Sequence, residues 1–378
     1  MRDASQLSGA AWSRRLAAAA AGLLAVAGVG GCGGGGSHTS SPSTASPSST
    51  STSSPSSSTL PGPASTGSDR WSSVQSIDSG LGVLSVSCAS ATVCVAVDGN
   101  PSASSGETES GTPGNALTYN GTSWSKPVVV DSGNSLVSVS CPTVGFCGAV
   151  DSSGNAFTYN GSSWSTFNAA DGTSQLEAVS CASASFCVAV DNNGSALTWN
   201  GSRWSSPQTV DSNSGTTSQG TIMYAVSCPS ASFCVAVDGN GAFYFNGSSW
   251  SAVHRLWPGT ENSGTGPPAG VSCTSPSFCV AVGTDGGAYT YNGTSWSTKA
   301  SVDSPDGAAT SFTAVSCPSA TFCMGVGQDN NASAIYNGTS WSPLIAVNDV
   351  QTLASVSCPS ATFCVAVDGA SGVVTWQG

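Results

Sequence analysis

The chain has 378 residues and a mass of 37.1 kDa, with 8 Lys and Arg against 20 Asp and Glu and a net charge of −12. Charged residues make up 7% of it, against about 25% in ordinary domains. So few cations exclude nucleic-acid binding, which depends on neutralising phosphates. Fifteen Cys point to an oxidising, exported setting.

Arg2, Arg14 and Arg15 precede an apolar run from Leu16 to Val29, which ends in Gly30-Gly31-Cys32. A basic start, an apolar stretch and small residues before a cut site read as a signal peptide over residues 1–31. The run is shorter than the roughly 20 residues a transmembrane helix needs. Val29-Gly30-Gly31-Cys32 resembles the lipobox of bacterial lipoproteins, in which the Cys becomes the acylated first residue. That resemblance implies that Cys32 is lipidated and the protein is held at the outer face of the cell membrane. The alternative is an ordinary secretory signal. Residues 32–68 are almost entirely Ser, Thr, Pro and Gly. They cannot bury enough apolar surface to fold and read as a tether with a reach of about 35 Å.

From residue 69 to 378 one unit recurs, clearest as Val179-Ser-Cys181 to Phe186-Cys187-Val-Ala-Val-Asp191, then Trp199-Asn200-Gly201, then Trp204. Successive copies lie 40 to 53 residues apart, the range of propeller blades. Each copy reads as four short strands. Strand a runs up to the first Cys, and strand b is Phe-Cys-Val-Ala-Val. Strand c ends in an aromatic residue, and strand d begins at the repeated Trp. Asn-Gly between c and d is a strong hairpin signal, since both residues tolerate positive φ. The seventh copy stops where its strand d should follow, and the missing strand stands at the other end, at Asp69-Arg70-Trp71-Ser72. A split repeat is what a closed ring requires. The expected fold is an all-β, seven-bladed propeller closed by its N-terminal strand.

The order of strand c aromatic, hairpin and Trp, as in Tyr291-Asn-Gly-Thr-Ser-Trp296, resembles kelch and galactose-oxidase-type propellers. Thr118-Tyr-Asn-Gly-Thr-Ser-Trp124 also resembles a shortened Asp-box (BNR) turn. Both resemblances imply a propeller and leave the function open.

Apart from Cys32, the Cys form seven pairs six residues apart: 88/94, 141/147, 181/187, 228/234, 273/279, 317/323 and 358/364. A tight a–b hairpin sets Cys88 beside Cys94, Cys141 beside Cys147, Cys181 beside Cys187 and Cys228 beside Cys234. The same holds for Cys273 and Cys279, Cys317 and Cys323, and Cys358 and Cys364. Intra-blade disulfides are expected, each contributing about 2 kcal/mol. Structural zinc is the rival, but it favours closer Cys pairs or His partners. The recurring Trp read as packing between blades rather than as sugar platforms.

Enzyme activity is not expected, because the propeller holds one His and few basic residues. Acidic residues recur instead, as Asp98, Asp151, Asp191, Asp238 and Asp368 after strand b, and as Asp78, Asp131, Asp171, Asp211 and Asp303 after strand d. With Glu107, Glu109, Glu261, Asp285, Asp306, Asp329 and Asp349, these put 17 of the 20 acidic residues at one end of the ring. An Asp at such a position caps a turn by accepting backbone N–H groups. The first set is also the candidate metal set, with calcium the one cofactor considered. His254-Arg255-Leu256-Trp257 departs from the repeat on the same end, making Trp257, Arg255 and His254 the candidate ligand-binding residues. The expected role is a lipid-anchored, monomeric extracellular binding or scaffold protein. Its partner would be a protein, a cell-wall glycan or a divalent cation. The alternative is a glycosidase-like enzyme using paired Asp.

Overall fold

The computed structural model describes residues 70–78, 80–99, 111–172, 174–212, 222–256, 268–302 and 310–378. The expectations for residues 1–68, Cys32, Asp69, Glu107, Glu109, Trp257, Glu261, Asp303 and Asp306 lie outside the described residues.

Seven antiparallel sheets form a ring, and no α-helix occurs among the described residues. A short strand, β1 (Gln75–Ser76), precedes blade 1. Blade 1 is β2 (Gly82–Ser90), β3 (Val93–Gly99), β4 (Gly114–Tyr119) and β5 (Val128–Asp131). Blade 2 is β6 (Leu136–Thr143), β7 (Phe146–Asp151), β8 (Ala156–Tyr159) and β9 (Trp164–Phe167). Blade 3 is β10 (Leu176–Ser183), β11 (Phe186–Asp191), β12 (Ser195–Trp199) and β13 (Gln208–Thr209). Blade 4 has β14 (Ala225–Ser230), β15 (Phe233–Val237) and β16 (Ala242–Phe245). Blade 5 is β17 (Pro268–Ser275), β18 (Phe278–Gly283), β19 (Gly287–Tyr291) and β20 (Ala300–Ser301). Blade 6 is β21 (Phe312–Ser319), β22 (Phe322–Gly327), β23 (Ala332–Tyr336) and β24 (Ile345–Ala346). Blade 7 is β25 (Leu353–Ser360), β26 (Phe363–Asp368) and β27 (Gly372–Gln377), completed by β1.

The ring closes at that last sheet. Gln75 pairs with Val373 and Ser76 with Gly372, and Trp71 bridges Trp376. Trp71 is buried among residues of blades 6 and 7, and its indole N–H donates to Ser333 Oγ at 3.0 Å. Strand b is covered on both faces by neighbouring blades, which explains its continuous apolar sequence. Every residue of β7 and β22 is buried. The core is accordingly a set of layers between blades. One such layer joins Val188 and Val190 of β11 to Val226, Cys228 and Phe243 of blade 4.

Every Cys pair forms a disulfide inside its own blade, from Cys88–Cys94 through Cys358–Cys364, with Cα separations of 3.9 to 4.1 Å. A second ring of bonds runs between blades. The Ser preceding each first Cys accepts the N–H of the next blade's first Cys. Ser87 takes that of Cys141, Ser140 of Cys181, Ser180 of Cys228 and Ser227 of Cys273, each at 2.9 Å. Ser272 takes that of Cys317 at 3.0 Å, Ser316 that of Cys358 at 2.9 Å, and Ser357 closes the belt on Cys88 at 2.9 Å.

Two expectations about elements are corrected. Blade 4 has no regular fourth strand, because residues 250–256 pair only through bridges of Trp250 to Phe245 and His254 to Ala242. The c–d turn is also not a pair of positive-φ residues. Gly121, Gly161, Gly201, Gly247, Gly293 and Gly338 have φ between 90° and 95°, whereas the preceding Asn does not enter that region. The Asn acts through its side chain. Asn120 Oδ1 accepts the N–H groups of Thr122 and Ser123, both at 3.0 Å, and the Thr122 hydroxyl at 2.8 Å.

Candidate functional site

The two ends of the ring differ in kind. At one end each c–d turn lies against the a–b hairpin of its own blade, as Gly121 does on Thr92 and Gly201 on Ser185. Connections there have fixed length, with six residues from Cys to Cys in every blade and five from strand c aromatic to Trp in blades 1 to 6. At the other end the step from second Cys to strand c aromatic varies from 11 to 25 residues. The step from Trp to the next Cys varies from 17 to 24. All length variation therefore falls at the b–c and d–a end, the pattern of a scaffold carrying variable loops on one face.

The recurring Asp residues lie at this variable end. Asp98, Asp151, Asp191, Asp238 and Asp368 are all at most 2% exposed. Each holds a b–c turn by accepting backbone N–H groups. Asp151 Oδ1 takes those of Ser153 (2.9 Å) and Asn155 (2.8 Å), Asp191 Oδ1 those of Asn193 (2.9 Å) and Ser195 (2.6 Å), and Asp238 Oδ1 those of Asn240 (2.7 Å) and Gly241 (2.9 Å). Asp98 accepts from the backbone of Asn115 at 2.7 Å, and Asp368 from Ala370, Gly372 and Gln351.

Between blades these Asp meet a second set from the d–a loops. Asp78 acts on Asp98, Asp131 on Asp151, Asp191 on Asp171 and Asp211 on Asp238, each raising its partner's affinity for a proton. Two carboxyls in such contact need a positive species between them, and burial makes the need acute. Burial, with the paired Asp adding to it, pushes Asp98 and Asp151 up to about 6, Asp238 to about 7 and Asp171 to about 8. Asp131 goes the other way. Burial acts upward on it, but bonds from Asn134, Asp151 and Gly133 outweigh that and lower it. Of this pair Asp151 is thus the one that keeps its proton to higher pH, and Asp131 the one that ionises first.

Asn amides serve three of these four junctions. Asn115 Nδ2 donates to both oxygens of Asp98 (3.1 and 3.0 Å), and Asn155 Nδ2 to Asp151 Oδ2 (2.6 Å). Asn240 Nδ2 bridges Asp211 Oδ2 (3.0 Å) and Asp238 Oδ2 (3.3 Å). The five Asp of the candidate metal set sit one to a blade, each committed to its own turn. Among the described residues no three His, Cys, Asp or Glu side chains gather in a metal-binding group.

His254 and Arg255 are exposed at the outer edge of blade 4. The His254 backbone pairs with Ala242 in both directions, at 2.8 and 2.9 Å, and its ring meets Tyr244 edge-on at 4.7 Å. Leu256 turns inward and is buried between blades 4 and 5. The segment therefore keeps the blade's outer course and presents His254 and Arg255 beside the b–c turn of blade 4. Gly241 is required there, since a Cβ at that position would lie 2.2 Å from the His254 carbonyl oxygen.

Sequence reasoning missed Glu177, only 8% exposed at the start of β10, and missed the pairing of Asp across blades. The signal for the second was present, as two Asp registers both falling at strand ends. Their contact depends on how the blades are stacked.

By sequence the chain matches no protein-family profile and no curated protein. Among solved structures it is similar to YCF48 bound to D1 peptide, with a TM-score of 0.59 and 14% identity over 82% of this chain and 95% of that one. It is similar to YCF48 from Cyanidioschyzon merolae (TM-score 0.58, 11% identity, 81% of this chain and 99% of that one). The WD40 β-propeller domain of Doa1 gives a TM-score of 0.58 at 11% identity, over 80% of this chain and 95% of that one. At such identities the likeness is one of fold, and it supports the seven-bladed ring.

Proposed function

We propose that this protein is a lipid-anchored extracellular binding or scaffold protein that engages a protein segment at the variable, Asp-rich end of its ring. The observation that carries this reading is the confinement of all length variation to that end. The opposite end is built from copies of one hairpin and one turn. A propeller of the same fold, YCF48, has been captured with a peptide. His254 and Arg255 supply a ring and a cation beside the b–c turn of blade 4, and Trp257 follows Arg255 by two residues in the sequence, a composition suited to a protein partner. The role is non-catalytic. What supports this is that glycoside hydrolysis needs a pair of carboxyls free to act on substrate, whereas the strand b Asp are buried and turned to holding loops.

The test is capture of partners from intact membranes by the soluble propeller, residues 69–378, with paired variants at the two ends. Arg255→Ala with Trp257→Ala should reduce capture at least tenfold, and Val144→Ser on the opposite end should leave it unchanged. Equal capture by all three proteins would overturn the assignment of the binding end. Changing Cys32 to Ser should release the full-length protein into the medium, and its retention on membranes would refute the anchor.

A further inference from the structure

The junction of blades 2 and 3 differs from its counterparts. Asp191 acts on Asp171 there as in the other pairs, but Ser195 stands where blade 2 has Asn155, so the amide that serves the second oxygen of Asp151 has no counterpart at that position. Asn193, on the same turn, donates its Nδ2 to Ser174 Oγ at 2.9 Å instead. Asp191 Oδ1 is occupied by the N–H groups of Asn193 and Ser195. Asp171 is 4% exposed, and its Oδ2 has no hydrogen-bond partner. Two more buried polar atoms without partners belong to the same two loops, Asn192 Oδ1 and Gln175 Nε2. The loops are tied together, with Asn192 N donating to Gln175 O at 3.0 Å and Ser174 N to Asp171 O at 3.2 Å.

A buried polar atom left without a partner is costly, so several in one small junction mark a missing species. A single proton satisfies the carboxyl pair but leaves Asn192 Oδ1 unserved. A hard cation takes the carboxylates and the amide oxygen together. Gln175 joins them after a half-turn of its amide, which exchanges nitrogen for oxygen without changing shape. We infer that the blade 2–3 junction is a calcium site, held by Asp171 and Asp191 with the side-chain amides of Asn192 and Gln175, and completed by water. Two carboxylates are a low charge count, which places the affinity at about 0.1–1 mM, in the range of extracellular calcium modules. The cation does at this junction what an Asn side chain does at the other three.

Calorimetric titration of the propeller, residues 69–378, with calcium chloride at neutral pH should show one site per chain. About 10 mM calcium should raise the melting temperature by roughly 1–3 °C over sodium chloride of matched ionic strength. Asp171→Asn should abolish both signals. Ser195→Asn restores the missing amide and should abolish them too, while melting at or above the calcium-free parent; this variant decides the matter if Asp171→Asn does not fold. Asp131→Asn, at the blade 1–2 junction, should leave the calcium response intact. Three results would each overturn the site: no calcium heat in the parent, an equal loss in Asp131→Asn, or a calcium response retained in Ser195→Asn. Stability that follows pH but not calcium would assign the junction to a shared proton alone.

Discussion

A serine hydroxyl is small enough to sit between two innermost strands and polar enough to serve a backbone group on the neighbour. That is the use made of Ser140, whose Oγ accepts the Cys181 N–H at 2.9 Å. The main chain of one blade is thereby satisfied by a side chain of the blade before it, all the way around. Ser140→Ala removes the acceptor and leaves a half-buried N–H with none, so it should cost about 1–2 kcal/mol. A fall in the urea midpoint at unchanged m-value would show it, and a change below a few tenths of a kcal/mol would mean that water replaces the hydroxyl. The belt was hard to see in the sequence although Val-Ser-Cys is plain there. Ser87 and Cys141 are 54 residues apart, and nothing local to either tells that they touch. The same holds for Asp151. Its turn-capping role follows from Asp-Ser-Ser-Gly-Asn, whereas its contact with Asp131 comes from blade stacking.

Strands carry the features that the sequence made most legible. Strand b could be read as buried on both faces because Phe-Cys-Val-Ala-Val leaves no polar face to show solvent. The split seventh repeat is the mark of the closing strand. Blade 4 was misread because Trp250 promised a fourth strand like the others, while the residues after it pair through isolated bridges. Trp71 deserves the closest test among the element-level features, since it holds the closure through both packing and its bond to Ser333. Trp71→Ala should cost about 3–5 kcal/mol, in line with loss of a buried aromatic. Removing residues 69–76 should do more, because β27 then becomes an open edge that can pair with other chains. Size-exclusion chromatography should show aggregates for that truncation and a stable monomer for one starting at residue 69. A soluble, monomeric 77–378 fragment would mean that the ring does not need its N-terminal strand.

At the scale of the whole ring, each disulfide staples its own blade, while the serine belt and the Asp pairs join blades that are otherwise held by thin apolar layers, and of these links only the Asp pairs respond to pH. Asp98, Asp151 and Asp238 sit at about 6, 6 and 7 in the folded protein, pushed up mainly by burial. Unfolded, they return to about 3.9. The folded state therefore binds protons more tightly than the unfolded one. The stability this confers is complete below pH ~4 and is lost as pH rises through about 6–7. Asp131, lowered in the fold, works in the opposite sense, but its contribution is lost only as pH falls below the ordinary carboxylate range, outside the window of interest. The ring should thus melt several degrees higher at pH 5 than at pH 8, for a combined change on the order of 5 kcal/mol. Asp238→Asn keeps an acceptor for the Asn240 and Gly241 N–H groups while removing one titration, so it should flatten the profile without abolishing the fold. Calorimetric melting from pH 5 to pH 8 in calcium-free buffer provides the measurement. A melting temperature that rises over that range would mean that the three carboxyls are ionised throughout and that the junctions are held by their Asn amides alone.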